Sequence, residues 1–136
     1  MRLIYVSAKD LSEELRDKGV LACPFRDEIR GMLARMFDAR AVSPMHIVGV
    51  AATVARLSRE AVRQAGVDGV LVAMPPWMTF EVENFLLMEG VDVCYPYKMI
   101  KRVRVGSTWR VRSTFVGFVR KPAYGEDGVH EIVEFA

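Results

Sequence analysis

The chain has 136 residues, 51% hydrophobic and 26% charged, the size and balance of one globular domain with a single core. Its apolar runs at residues 45–54 and 67–76 span about ten residues each, half of the ~20 that a membrane-spanning helix needs, which excludes a bilayer span and predicts no membrane partner. The net charge of +2 hides an asymmetry: residues 93–125 carry eight cations and no acid, leaving 11 basic against 17 acidic residues elsewhere, or −6.

In chain order, residues 2–8 contain the continuous apolar run Leu3, Ile4, Tyr5 and Val6, the pattern of a parallel strand buried on both faces. The apolar start is too short for a secretory leader and meets Lys9 and Asp10 at once, so a cytoplasmic protein is expected. Asp10 is the expected N-cap of a short helix, with Glu13 as its capping-box partner and Gly19 as its stop. Residues 20–25 form a second short apolar run. Residues 26–40 then place Ile29, Leu33, Met36 and Phe37 on one helical face.

Ser43-Pro44 is a hydroxyl cap followed by proline at the first helical position. A long helix runs from there to Gln64, with Ile47, Val50, Val54, Leu57 and Ala61 as its stripe and Gly66 as its stop. Its first half is apolar almost all round, which predicts packing on two sides, against the sheet and against another element or subunit. Residues 67–74 read as a strand, a helix opens at Trp77 or Thr79 and ends at Gly90, and residues 91–95 read as the next strand. Residues 99–105 and 108–119 alternate apolar and polar around Gly106-Ser107, a two-residue hairpin turn with Arg104 opposite Trp109. A turn at 125–128 and a last antiparallel strand at 130–135 complete the pattern.

Strands alternating with helices over short connections predict an α/β fold, a Rossmann-like, mostly parallel sheet flanked by helices with a C-terminal antiparallel hairpin extension. The whole chain, 1–136, reads as one domain, with an α/β core at 1–97 and the basic hairpin and last strand at 98–136. Ligands of open parallel sheets sit beyond the carboxyl ends of the strands. The loops 7–10, 74–79 and 95–101 therefore hold the candidates: Ser7 and Lys9 in the first, Trp77 and Thr79 in the second, Tyr97, Lys98 and Lys101 in the third, with Arg102 just after it. Trp77 can stack on a base and the helix after it can offer N–H groups to an anion, while the plain alternative is a stiff turn with an aromatic lid. The Tyr and Lys/Arg interleaving at 95–102 suits a nucleotide. Strand alternation places Lys101, Arg110 and Arg112 on one face and Arg102 and Arg104 on the other, so these cations cannot all line one groove.

No glycine-rich phosphate loop, serine elbow or paired carboxylate is present, since Glu81 and Glu83 point to different helix faces. Cys23 and Cys94 read as reduced, packed thiols, His46 as a helix-end histidine, and no metal or cofactor is expected from two histidines and two scattered cysteines. Chemistry that needs few protein groups stays open, such as attack of an RNA 2′-OH on its own phosphodiester held in place by cations.

The succession Ser7-Ala8-Lys9-Asp10-Leu11, then residues 70–96 with Pro75-Pro76-Trp77, then a basic hairpin ending Phe118-Val119-Arg120-Lys121, resembles the small single-domain CRISPR-associated proteins related to the CARF fold. The likeness covers most of the chain at the level of pattern. It implies a Rossmann-like homodimer of antiviral defence that binds cyclic oligoadenylate across its two-fold axis and, in some members, cleaves it as a metal-independent ring nuclease. Ser7 matches the first-strand loop of that family, Trp77 to Thr79 the turn before the apolar helix, and Tyr97, Lys98 and Met99 the start of a Thr-Thr-Lys-Arg element. The Thr-Thr pair is missing here, and Lys101-Arg102 restores the Lys-Arg dipeptide slightly displaced.

Three functional readings result. A small dimer binds a phosphate-rich nucleotide, with ring cleavage as an extension; a basic module binds linear RNA or DNA without catalysis; or an assembly protein has no ligand and uses the apolar helix and hairpin as an oligomer interface.

Overall fold

The computed structural model describes residues 2–38, 42–123 and 131–134. Among them, β1 (Leu3–Ser7), β2 (Val20–Ala22), β3 (Gly69–Ala73), β4 (Asp92–Val105), β5 (Thr108–Lys121) and β6 (Glu131–Glu134) form a six-stranded sheet in the order β2-β1-β3-β4-β5-β6. The β2-β1-β3-β4 pairs are parallel and the β4-β5-β6 pairs antiparallel. Four helices flank it: α1 (Glu13–Asp17), α2 (Arg26–Phe37), α3 (Pro44–Ala65) and α4 (Pro76–Met88). This is the α/β architecture with a C-terminal hairpin that the residue pattern predicts. None of the described helices is long and apolar enough to cross a membrane.

From β1 the chain steps one way to β2, then returns past β1 to β3 and β4. Right-handed crossovers in opposite directions put their helices on opposite faces. On one face Ile4, Val6, Val70, Val72 and Val93 pack with Leu33, Val54, Val82 and Leu86 of α2, α3 and α4. On the other, the alternate residues Leu3, Leu71, Cys94 and Phe118 meet Leu11 and the partly buried Leu15 of α1. The direction reverses between β1 and β3, and that switch point opens a crevice at their carboxyl ends.

Helix ends follow local chemistry. Ser43 accepts from the His46 N–H at 3.1 Å, Pro44 takes the first helical position, and Gly66 adopts φ +62° at the stop, all as expected. Two starts differ. The cap of α1 is Ser12, whose hydroxyl accepts from Leu15 N–H at 3.3 Å, because Asp10 is drawn away to Arg26 and Arg30 at 3.1 and 2.7 Å. Helix α4 begins at Pro76 rather than Trp77 or Thr79, since proline is preset for the first turn.

Helix α3 buries Ala51, Val54, Ala55, Ser58 and Ala61. Its small residues take the core side, and the expected Ile47, Val50 and Leu57 flank it half-buried. At 22 residues it is ~33 Å long, whereas the five-residue strands β1 and β3 reach only ~17 Å, so the helix overhangs the sheet. Accordingly Met45 is 84% and Val48 39% exposed, and the apolar first turns are not packed on two sides within one chain.

The largest departure is at residues 95–101. These form no loop: β4 runs unbroken from Asp92 to Val105. Its pairing with β3 ends at Leu71↔Cys94, while its pairing with β5 continues to Val105↔Thr108. Beyond Cys94 it is therefore open toward β3, the position in which a strand accepts a proline such as Pro96. A register shift between Tyr97 and Lys98 leaves Val116 of β5 as the extra residue of a bulge. Past it, β4 and β5 continue as a two-stranded arm from Lys98↔Phe115 to the Gly106-Ser107 turn, ~24 Å farther. Gly106 takes φ +63° there, as the turn requires. The last strand pairs Gly117–Arg120 of β5 with β6 as expected, while the turn at 125–128 and His130 lie outside the described residues.

Candidate functional site

The eight residues singled out by sequence fall in three places. Ser7 and Lys9 lie at the switch-point crevice, a cleft of about 440 Å³ lined also by Tyr5, Ala73, Met74 and Pro75. The Ser7 hydroxyl donates to the Ala73 carbonyl at 2.6 Å and accepts the Lys9 N–H at 3.0 Å, so it ties the ends of β1 and β3 together. Arg30 Nε donates to the Ala8 carbonyl at 3.1 Å and its Nη2 to Asp10 at 2.7 Å. The Arg30 hydrogen bond, then its charge and that of Arg26, hold the Asp10 carboxyl below the usual carboxylate range.

Trp77 and Thr79 stand at the start of α4. Pro76 has no N–H, and the Met78 and Thr79 N–H groups both donate to the Pro75 carbonyl at 2.9 Å. The Thr79 hydroxyl donates to the Met74 carbonyl at 2.9 Å. The expected row of N–H groups for an anion is therefore largely consumed by the turn itself, while Trp77 remains 45% exposed.

Tyr97, Lys98, Lys101 and Arg102 all lie on β4, and alternation divides them. Tyr97 and Lys101 share the face that continues from Val93 and Tyr95, on the α4 side of the sheet. There a shallow cleft of about 420 Å³ between Pro76, Thr79, Phe80, Glu83 and Tyr95 leads onto the arm. Lys98 and Arg102 share the opposite face with Arg104 and, across the ladder, Phe115, Val111 and Trp109. The structure thus brings Thr79 toward the Tyr97 and Lys101 face, and separates Lys98 and Arg102 from both.

Sequence reasoning missed the anchor of the arm. Tyr95 Oη and Lys121 Nζ both donate to the Glu83 carboxylate, and Arg120 donates to Asp92 at 3.1 Å. These contacts join residues 12, 38 and 28 positions apart, separations at which no periodicity survives. Burial first, then the Glu83 hydrogen bond and charge, push the Tyr95 phenol far above its ordinary value, so it stays a donor and not a proton-transfer group. Arg120 and Lys121 are in this way neutralised. Lys98, Lys101, Arg102, Arg104, Arg110 and Arg112 remain on the arm with no carboxylate partner among the described residues.

Lys101 pairs directly with Arg112, and Arg110 lies one pair further along on the same face. Directly opposed like charges destabilise a ladder, and the arm also keeps Arg104 6.0 Å from the Trp109 ring centroid, the expected cation–π pair. Chemistry by thiolate is disfavoured, because both cysteines are buried and burial raises both thiols, Cys94 to about 12. His46 is exposed in the first turn of α3, and among the described residues no three His, Cys, Asp or Glu side chains come together as a metal site.

No protein-family model, curated protein or solved structure matches the chain.

Proposed function

We propose that the protein binds a nucleic-acid strand through the β4–β5 arm, without needing a catalytic group. The observation that carries this reading is the directly opposed Lys101–Arg112 pair, flanked by Arg110, on a projecting ribbon with no carboxylate. Two cations held side by side repel each other until a phosphate lies between them, so the polyanion relieves a strain that the free protein carries. An arm of exposed side chains reaching ~24 Å past the sheet presents this charge to a long partner better than to a mononucleotide. The test is fluorescence anisotropy of a labelled oligonucleotide against the parent and Lys101→Gln/Arg112→Gln. Affinity should fall for every sequence alike, and the slope of log K against log salt should drop by about one per lost contact. Unchanged affinity and slope overturn the reading.

A second reading follows the CARF-like resemblance: a cytoplasmic homodimer with cyclic oligoadenylate at the crevice where β1 and β3 end. Support for it comes from the position of the 440 Å³ cleft at the switch point and from Lys9 in its lining. Positioning and cationic stabilisation would then carry any ring opening. A thermal-shift screen with cyclic tri-, tetra- and hexa-adenylate against linear RNA separates the two. A shift with the cyclic ligands alone favours the crevice, and a shift with linear RNA alone favours the arm.

A further inference from the structure

The two faces of the arm are not equivalent, and the outer part of one of them is divided lengthwise. On the face away from α4, β4 supplies Lys98, Ile100, Arg102 and Arg104, while β5 supplies Phe115, Ser113, Val111 and Trp109 opposite them in turn. Over the outer two pairs, Arg102–Val111 and Arg104–Trp109, a cationic row therefore runs beside an apolar row about 5 Å away across the ladder. This is also the face with the most exposed apolar side chains: Ile100, Val111 and Trp109 are 71%, 66% and 62% exposed, against 45%, 44% and 39% for Met99, Val105 and Tyr97 on the other. The Arg104 guanidinium lies over one face of the Trp109 ring, 6.0 Å from its centroid, and the indole is still 62% exposed.

Resting on the reading of the arm as a nucleic-acid interface, we propose that its partner is single-stranded. On this face phosphates lie along Lys98, Arg102 and Arg104, and bases stack on Trp109 and against Val111, while the Lys101–Arg112 pair holds phosphate on the other face. Charge complementarity selects a polyanion, and the apolar row selects one whose bases are accessible. In a duplex the base faces are already stacked, so Trp109 and Val111 would meet only backbone and gain nothing, whereas every unpaired base offers a ring face. Lys101, Arg110 and Arg112 on the opposite face add attraction that is indifferent to strandedness.

The experiment uses the full chain with a fluorescein-labelled oligo(dT) of about twenty nucleotides and a mixed-sequence duplex of the same length. The single strand should bind more tightly than the duplex and quench tryptophan emission, in the parent and in Trp77→Phe alike. Trp109→Ala should weaken single-strand binding by roughly 5- to 150-fold with the salt slope unchanged, and Trp109→Phe should restore most of it. Equal or tighter duplex binding, or a Trp109→Ala affinity equal to the parent's, overturns this inference while leaving nucleic-acid binding by the arm intact. If neither ligand binds the parent, the underlying reading fails and this one with it. If Trp109→Ala instead converts a dimer into a monomer in sedimentation and leaves binding unchanged, the face joins two copies of the chain and the proposal is wrong.

Discussion

Gly69 shows how tightly the sheet is built. A Cβ at this position would lie 2.6 Å from the Asp92 carbonyl oxygen, a backbone atom of the paired strand that has no rotamer to yield. Gly69→Ala should therefore cost about 1–3 kcal/mol of overpacking strain, read as a lower urea midpoint. An unchanged midpoint would mean that the β3–β4 spacing is looser than described. Asp92 is a junction in its own right, accepting from Arg120 at 3.1 Å and from the Ala123 N–H at 2.9 Å. Most of this was not legible in the sequence: Gly69 read as one residue inside an apolar strand, because the atom it must avoid is 23 positions away.

The arm is the element on which function turns, and its stability is borrowed. A two-stranded ribbon is marginal in water by itself, and this one is continuous with a sheet held by the Glu83, Tyr95 and Lys121 contacts. Phe115 closes its base, edge-on to Phe118 at 5.1 Å and under Lys18. Replacing residues 99–114 by Asn-Gly, closing on the Lys98–Phe115 pair, should leave global stability within roughly 1 kcal/mol of the parent. Nucleic-acid binding should disappear with it. A truncated protein that still binds oligonucleotide would move the interface to the crevice. The two strands and their turn were readable because alternation and a Gly-Ser turn are local signals. That β4 passes through Pro96 without a break was not, since it depends on where β3 stops.

In the whole molecule, charge and burial are separated along the chain: a core of modest charge carries a cationic extension. In the alkaline range, solution pH acts on the Cys94 and Tyr95 groups that the fold buries. The Cys94 thiol, ordinarily near 9.0, is raised to about 12 by burial and the Asp92 charge, so the folded state keeps a proton that the unfolded state releases. Its contribution is complete below pH 9 and fades as pH rises toward 12; the Tyr95 phenol, also raised, works in the same direction. Urea unfolding of the parent should thus show stability falling above pH 9, and Cys94→Ala should shallow that fall. Parallel curves for parent and variant would show that the thiol titrates alike in both states.

Near-neighbour chemistry wrote much of this protein plainly. Ser43 with Pro44, Gly66, and the Gly106-Ser107 turn act through bonds spanning four residues or fewer, and apolar runs made the parallel strands recognisable. The acid-free stretch from 93 to 125 also stood out in one dimension. Other features depended on partners distant in sequence. Asp10 left its expected helix cap for two arginines 16 and 20 residues away, and the α4 start used its own N–H groups in the turn. The residues expected to form one ligand site were distributed over a crevice, the start of α4 and two faces of a ribbon. A strand's alternation separates neighbours, but register and sheet order decide which distant residues each one meets.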